Sequence, residues 1–174
     1  IRRTSIPDEQ ILSVTQETHV FAGTLRENLT LAAPDAGDED ILDGLRGLGA
    51  GNLVSGCPAG LDTRIGHAGH QLSPAAAQQL ALARVYLARP RLTILDEATA
   101  EAGSADATGL EASARAAIRG RTALVVAHRL SQAAECDHII VLDRGSIVEE
   151  GSHEELLALG GWYADLWRIW SANR

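Results

Sequence analysis

The 174-residue chain contains no lysine and no methionine, and all fifteen of its basic residues are arginines. Any mechanism that needs a lysine must therefore take it from outside this chain, and we expect that the chain does not begin at an initiator methionine. No apolar run approaches the length of a membrane span, and no charged and apolar leader opens the chain. The two cysteines are too few for a disulfide framework and lack the spacing of a metal site, which indicates a reducing compartment.

Aromatic residues make up only 3% of the chain, and acidic residues outnumber basic ones. The formal net charge of −8 argues against general nucleic-acid binding, because neutralising phosphates requires a basic surface. The hydrophobic fraction of 45% is ordinary for a soluble globular protein. The length suits one domain, with or without an appendage.

What the chain does contain is a short apolar strand that stops at two carboxylates. The run 92–95 is typical of a fully buried parallel strand, and Asp96 and Glu97 follow it directly. Ligands of open α/β sheets bind at the carboxyl ends of strands. The first carboxylate is placed to hold a hydrated Mg²⁺, and the second to orient or deprotonate a water. Taken alone, the pair also fits a strand that ends in a solvated acidic turn.

Three further polar residues stand at the ends of predicted elements. Gln16 follows a predicted strand over 11–15, His128 follows a second buried strand over 122–127, and Ser73 precedes a proline at the start of a helix that runs to about residue 88. Each has a structural reading by itself: a solvated turn, a histidine that ends a strand, and a helix cap. Strands that alternate with helices predict an α/β layered core.

The flanking regions are predicted with less regular patterns. The section before residue 73 is mostly helical and suggests a separate lobe. A third buried strand is predicted over 136–142, turning into a hairpin with 147–149. The tryptophan-rich end of the chain predicts an amphipathic helix.

The four polar features, in this order and spacing, resemble the nucleotide-binding domain of ABC transporters over almost the whole chain. Five segments carry the resemblance: VTQETHVFAGTLRENL, LDTRIGHAGHQLS, LALARVYLARPRLTILDEATA, RTALVVAHRLS and DHIIVLDRGSIVEEGSHEELL. The first and fourth segments resemble exporters more than importers. In exporters, the membrane helices precede this domain on the same chain. The resemblance implies an α/β P-loop NTPase (RecA-like) core with a mostly parallel sheet and a helical signature subdomain.

The same resemblance divides the chain into four parts. They are a core strand and Q-loop over 1–21, a helical subdomain with the signature over 22–88, a RecA-like core with Walker B and the switch histidine over 89–150, and C-terminal helices over 151–174. The N-terminal part that carries the Walker A loop and the β-subdomain is expected to lie upstream of this chain.

The resemblance also implies a role for each polar residue toward ATP and Mg²⁺. Gln16 would touch Mg²⁺ and the attacking water, Asp96 would support Mg²⁺ through water, and Glu97 would be the general base. His128 would hold the γ-phosphate, and Ser73 would act in trans on ATP bound by the partner domain.

Several departures from the family pattern qualify these roles. The G-x-x-x-x-G-K-[ST] phosphate loop is absent, so the fragment alone is expected to be inactive and to bind ATP feebly. The signature, L-S-G-G-Q in the family, reads Leu72-Ser73-Pro74-Ala75-Ala76, which removes one N–H donor and adds methyl groups near the anion. The D-loop lacks its aspartate over 100–103 unless Asp106 substitutes from a shifted position, and a histidine replaces the acidic residue of the exporter segment at position 67.

Two functions fit this sequence. In the first, the chain is part of an exporter's ATPase domain at the cytoplasmic face of the cell membrane, docked on a transmembrane domain and paired with a second nucleotide-binding domain. An unaltered Glu97 beside an altered signature favours one half of an asymmetric heterodimer. In the second, it is a catalytically dead fragment that acts as a dimerisation scaffold. A DNA-repair type of ATPase is disfavoured by the negative net charge and by the segments whose sequence resembles exporters.

Overall fold

A computed structural model describes residues 10–15, 17–96, 104–127 and 129–172, with only the backbone described over 104–107. The chain divides into two compact units, Ile1–Val126 and Ala127–Arg174. Within the described residues, no helix combines the length and the hydropathy that crossing a membrane would require.

The first unit combines a small parallel sheet with helices. Its elements are, in chain order, β1 Ile11–Val14, β2 Gly23–Thr24, α1 Leu25–Thr30, α2 Asp38–Gly47, α3 Asn52–Ser55, a 3₁₀ turn Gly60–Asp62, β3 Arg64–Ile65, α4 Pro74–Ala88, β4 Leu92–Asp96, α5 Ser104–Ile118 and β5 Thr122–Val126. The predicted α/β class with a parallel sheet is confirmed.

The parallel sheet has the order β1-β4-β5, with the acidic strand β4 in its centre. The register pairs Val14 with Leu95 and Asp96 with Val126, so all three strands end at the same edge. Alternate β4 side chains point into the core, where Thr93 is 0% and Leu95 2% exposed. The strand is therefore buried as its apolar run predicts.

The helix α4 is the central packing element of this unit and confirms the predicted start and end. Ser73 caps it, since its Oγ accepts the Ala76 N–H at 3.2 Å, and Pro74 occupies the first helical position. At the other end, Arg89 adopts a left-handed conformation with φ +49°. The helix packs against α1, α2, α5 and β1.

One apolar core runs from the helices before residue 73 to the sheet. Leu25 and Ile41, from α1 and α2, lie in the same buried cluster as Leu95 and Leu110. The residues that suggest a separate lobe from sequence therefore share their core with β4 and α5. The four-part division of the chain stays a prediction.

The second unit is built on a hairpin followed by two helices. Its elements are α6 Leu130–Ala133, β6 Ile139–Asp143, β7 Ser146–Gly151, α7 His153–Leu159 and α8 Trp162–Ala172. The predicted hairpin is confirmed, but the expectation of a fully buried strand is wrong, because Leu142 is 66% exposed and β6 pairs with β7 alone among the described strands. The tryptophan-rich end forms the predicted helix α8.

Candidate nucleotide site

The candidate site is the edge of the parallel sheet where β1, β4 and β5 end. Asp96 is the last residue of β4, and its side chain is exposed at this edge. Thr15 directly follows β1. Because parallel strands of an open α/β sheet present their carboxyl ends to ligands, this edge is the place where a bound molecule is expected.

Three of the five predicted site residues, Gln16, Glu97 and His128, lie outside the described residues. In sequence, Gln16 comes two residues after β1, Glu97 directly after β4, and His128 two residues after β5. Their roles stay predictions, and so does the change in the D-loop over 100–103, which also lies outside the described residues.

Asp96 has the chemistry that a hydrated Mg²⁺ requires. A carboxylate oxygen is a hard ligand, and Mg²⁺ is usually held by one or two carboxylates while it keeps several waters. Among the residues that the structure describes, none forms an ion pair with Asp96, and no group of three or more metal-ligating side chains converges. The exposed carboxylate at the strand end is compatible with the predicted support of Mg²⁺ through water, which stays a prediction.

Ser73 lies at the start of α4, where an N-terminal turn presents N–H groups to an anion. Its side chain is exposed, but its oxygen is engaged by the Ala76 N–H. Pro74 has no N–H to offer. For an anion at this helix start, Pro74 offers no N–H and the Ala76 N–H is already bound to Ser73 Oγ, but the weakened anion binding itself stays a prediction.

Ser73 and Asp96 are not joined by a hydrogen bond among the described contacts. Whether the two side chains serve different nucleotides, one on this chain and one on a partner, stays a prediction. The loop before Ser73 has a tight backbone: Gly66 has φ +89°, and a Cβ there would lie 2.9 Å from the Ala22 Cα. Only glycine fits that approach.

The sequence analysis missed a polar network, built on the buried Asn28 and the half-buried Arg84, that holds the segment after Gln16 in the chain. Arg84 of α4 donates from Nε to the Asn28 carbonyl oxygen at 2.7 Å and from a terminal nitrogen to the His19 carbonyl oxygen at 2.9 Å. Its other terminal nitrogen binds Asn28 Oδ1 at 2.8 Å, and its guanidinium lies 5.5 Å from the Phe21 ring centroid. Burial lowers the pKa of Arg84 from its ordinary value.

Asn28 extends this network to the backbone of the loop. It is 1% exposed, its Oδ1 accepts the Phe21 N–H at 3.0 Å, and its Nδ2 donates to the Phe21 and Thr24 carbonyl oxygens. Gln78, also on α4, donates from Nε2 to the Thr15 carbonyl oxygen at 3.3 Å. The sequence signal was an arginine inside an otherwise apolar helix, LALARVYLA, which calls for buried partners.

Comparison with known proteins supports the family assignment. Residues 2–100 match the ABC transporter family. The chain is 40% identical over 157 residues, 90% of its length, to the ABC transporter ATP-binding protein YknV of Bacillus subtilis, and covers 26% of that protein. It is 38% identical over 155 residues, 89% of its length, to a fatty acid ABC transporter ATP-binding/permease protein of Mycobacterium tuberculosis, and covers 25% of it.

A third relative is the putative multidrug export ATP-binding/permease protein YgaD of Bacillus subtilis, 36% identical over 164 residues, 94% of this chain and 28% of that protein. The chain thus spans about a quarter of the length of the curated relatives it matches. The match covers the strand-end carboxylate, the loop after β1 and the helix α4. The predicted resemblance to an exporter-type ATPase domain is confirmed, and the chain belongs to the ABC transporter family.

Proposed function

We propose that this chain is part of the ATP-hydrolysing domain of an ABC exporter, and that it powers export through a transmembrane domain at the cytoplasmic face of the cell membrane. The observation that carries the proposal is the convergence of three parallel strand ends, with the exposed Asp96 at their centre, on one edge of the sheet. The exporter names of the relatives support the transport role.

The residues of this chain divide the work at that edge. Asp96 would hold the waters of a bound Mg²⁺, Gln16 would touch the metal and the attacking water, and Glu97 would accept a proton from that water. His128 would donate a hydrogen bond to the terminal phosphate. When bound, Mg·ATP supplies the phosphoryl group and a cation that neutralises charge developing on it.

The chain has no lysine for a phosphate loop. Within the proposal, that loop comes from a part of the transporter outside this chain, and this chain alone is inactive. A lysine in such a loop contacts the outer phosphates of ATP. Asp96 and His128 do not replace that contact. The ATPase domain is therefore complete only in the intact transporter.

The altered start of α4 favours an asymmetric heterodimer. Ser73 faces the partner's nucleotide with one donor removed by Pro74 and with its own oxygen engaged by Ala76. Each charge-assisted hydrogen bond lost there weakens anion binding by about 1.5–3 kcal/mol. The nucleotide on this chain's own strand ends would be hydrolysed efficiently, and the nucleotide under its Ser73 slowly.

The test is a pair of substitutions in the intact transporter, one in each nucleotide-binding domain. Glu97→Gln is expected to abolish ATP turnover, while the same change at the partner's equivalent carboxylate should lower it by less than about twofold. Steady-state phosphate release measures both. Equal losses from the two changes would contradict the asymmetric assignment, and full turnover with Glu97→Gln would contradict the enzymatic one.

A scaffold that binds a partner domain without hydrolysis is the second candidate. The observation that favours it is the same weakened helix start at Pro74 and Ala76. It differs from the first proposal in one measurable respect, since a scaffold would keep transport and phosphate release unchanged in Glu97→Gln.

A further inference from the structure

The segment that follows Gln16 is attached to α4 by an unusual arginine. Arg84 is half-buried, and no carboxylate among the described residues pairs with it. Its three hydrogen bonds go to two carbonyl oxygens and an amide oxygen, those of His19 and Asn28. Burying a cation costs free energy unless its hydrogen-bond donors are satisfied. The three acceptor oxygens must therefore stay in place around Arg84 in the folded protein.

Helix α4 binds the chain both before and after Gln16 in sequence. Arg84 binds the chain after Gln16, at the His19 carbonyl oxygen, and Gln78 binds the chain before it, at the Thr15 carbonyl oxygen. Both donors belong to α4, whose first residues form the signature. The backbone on either side of Gln16 is therefore held by the same helix that presents Ser73.

The contacts need the shape of a guanidinium. Its planar fork reaches three acceptors on two separate segments and lies over the Phe21 ring at the same time. A lysine ammonium is a point charge and could not span these acceptors in one geometry.

We propose that Arg84 is a positioning residue for Gln16: it fixes residues 19–21 to α4, so that the contribution of Gln16 to turnover depends on the attachment of this segment to the signature helix. This inference rests on the function proposed above. It adds a link inside one domain between the side that binds its own nucleotide and the side that faces the partner.

The chain offers a matched control in Arg121. That arginine is also half-buried beside α4, donates to two carbonyl oxygens, those of Val85 and Tyr86, each at 3.2 Å, and lies 5.4 Å from the Tyr86 ring centroid. It differs from Arg84 in its acceptors, which are backbone oxygens of α4 itself. Removing either arginine costs similar contacts, but only Arg84 touches the segment after Gln16.

The experiment compares Arg84→Met, Arg84→Lys and Arg121→Met in the intact transporter, with Glu97→Gln as a reference. Hydrogen exchange of the amides over 17–22 is measured first, without nucleotide. Then kcat, the KM for ATP and the Mg²⁺ concentration that gives half-maximal turnover are determined.

For Arg84→Met we expect exchange over 17–22 to rise about tenfold, kcat to fall about tenfold with the KM for ATP within about twofold, and the Mg²⁺ requirement to rise several-fold. Arg84→Lys should lie between the wild type and Arg84→Met. Arg121→Met should change none of these quantities beyond about twofold, although it lowers thermal stability.

Faster exchange without a larger loss of kcat than in Arg121→Met would reduce Arg84 to a structural residue, and unchanged exchange would remove the link to the loop altogether. If Arg84→Met does not fold, the same criteria are applied to Arg84→Lys. Full turnover in Glu97→Gln would overturn the proposed function itself, whereas exchange over 17–22 still reports the attachment independently of catalysis.

Discussion

In the proposed function, the edge of the parallel sheet and the start of α4 each contact a nucleotide, but they differ in how many of the polar groups expected there are present. At the sheet edge, Asp96 ends a buried central strand with its carboxylate exposed. At the helix start, Pro74 lacks a donor and Ser73 accepts a hydrogen bond from its own helix. Within the proposed assembly, this difference would make the two nucleotide sites unequal.

The two regions are also held in place by different contacts. The sheet edge is fixed by register, because β4 is paired with β1 over Leu92–Leu95 and with β5 over Leu92–Asp96. The helix start is fixed by its cap, and the body of α4 is fixed by packing and by two arginines, Arg84 and Arg121. Loss of anion-binding groups at Pro74 therefore leaves the helix itself well supported.

The largest change in ATP turnover is expected when one polar group is removed from each of the two regions. In the intact transporter, Asp96→Asn is expected to lower ATP turnover by about a hundredfold or more, because the neutral amide loses the charge that attracts Mg²⁺. Ser73→Ala should lower it by less than about threefold, since its site is already weakened. Phosphate release measures both, and a larger loss for Ser73→Ala would reverse the proposed asymmetry.

A smaller effect is expected from repairing the weaker region. Replacing Pro74 and Ala75 by glycine and Ala76 by glutamine restores the family signature and returns an N–H donor to the first turn of α4. We expect turnover at the partner's site to rise about three- to tenfold, measured with Glu97→Gln in the background so that only that site contributes. Changing Pro74 alone to alanine is the control, because it restores the donor but keeps a methyl at the anion.

The smallest predicted effect concerns stability inside β4. Thr93 is 0% exposed, and its hydroxyl has no hydrogen-bond partner among the described residues. Thr93→Val keeps the shape and removes the unsatisfied group, so the free energy of unfolding should rise by about 1 kcal/mol. The matched control is Thr122→Val at the exposed start of β5, which should change it by less than about 0.5 kcal/mol. Urea unfolding measures both, and a loss of stability at Thr93 would indicate an unseen partner for its hydroxyl.

The sequence by itself determined the local chemistry of this protein. The apolar run of β4 ends at Asp96 because branched side chains favour a buried strand and carboxylates do not, and the Ser73-Pro74 pair begins α4 because a hydroxyl caps and a proline needs no N–H partner. The missing lysine and the altered signature are also readable from the sequence alone.

Which strands, helices and side chains are neighbours in space depends on the tertiary structure. That β4 runs between β1 and β5, and that the early helices share its core, depend on contacts between segments far apart in the chain. The contact of Arg84 with His19 and Asn28 spans 65 and 56 residues. Local propensity carries no information about such pairings, because their stability comes from burial and from hydrogen bonds that exist only once the chain is folded.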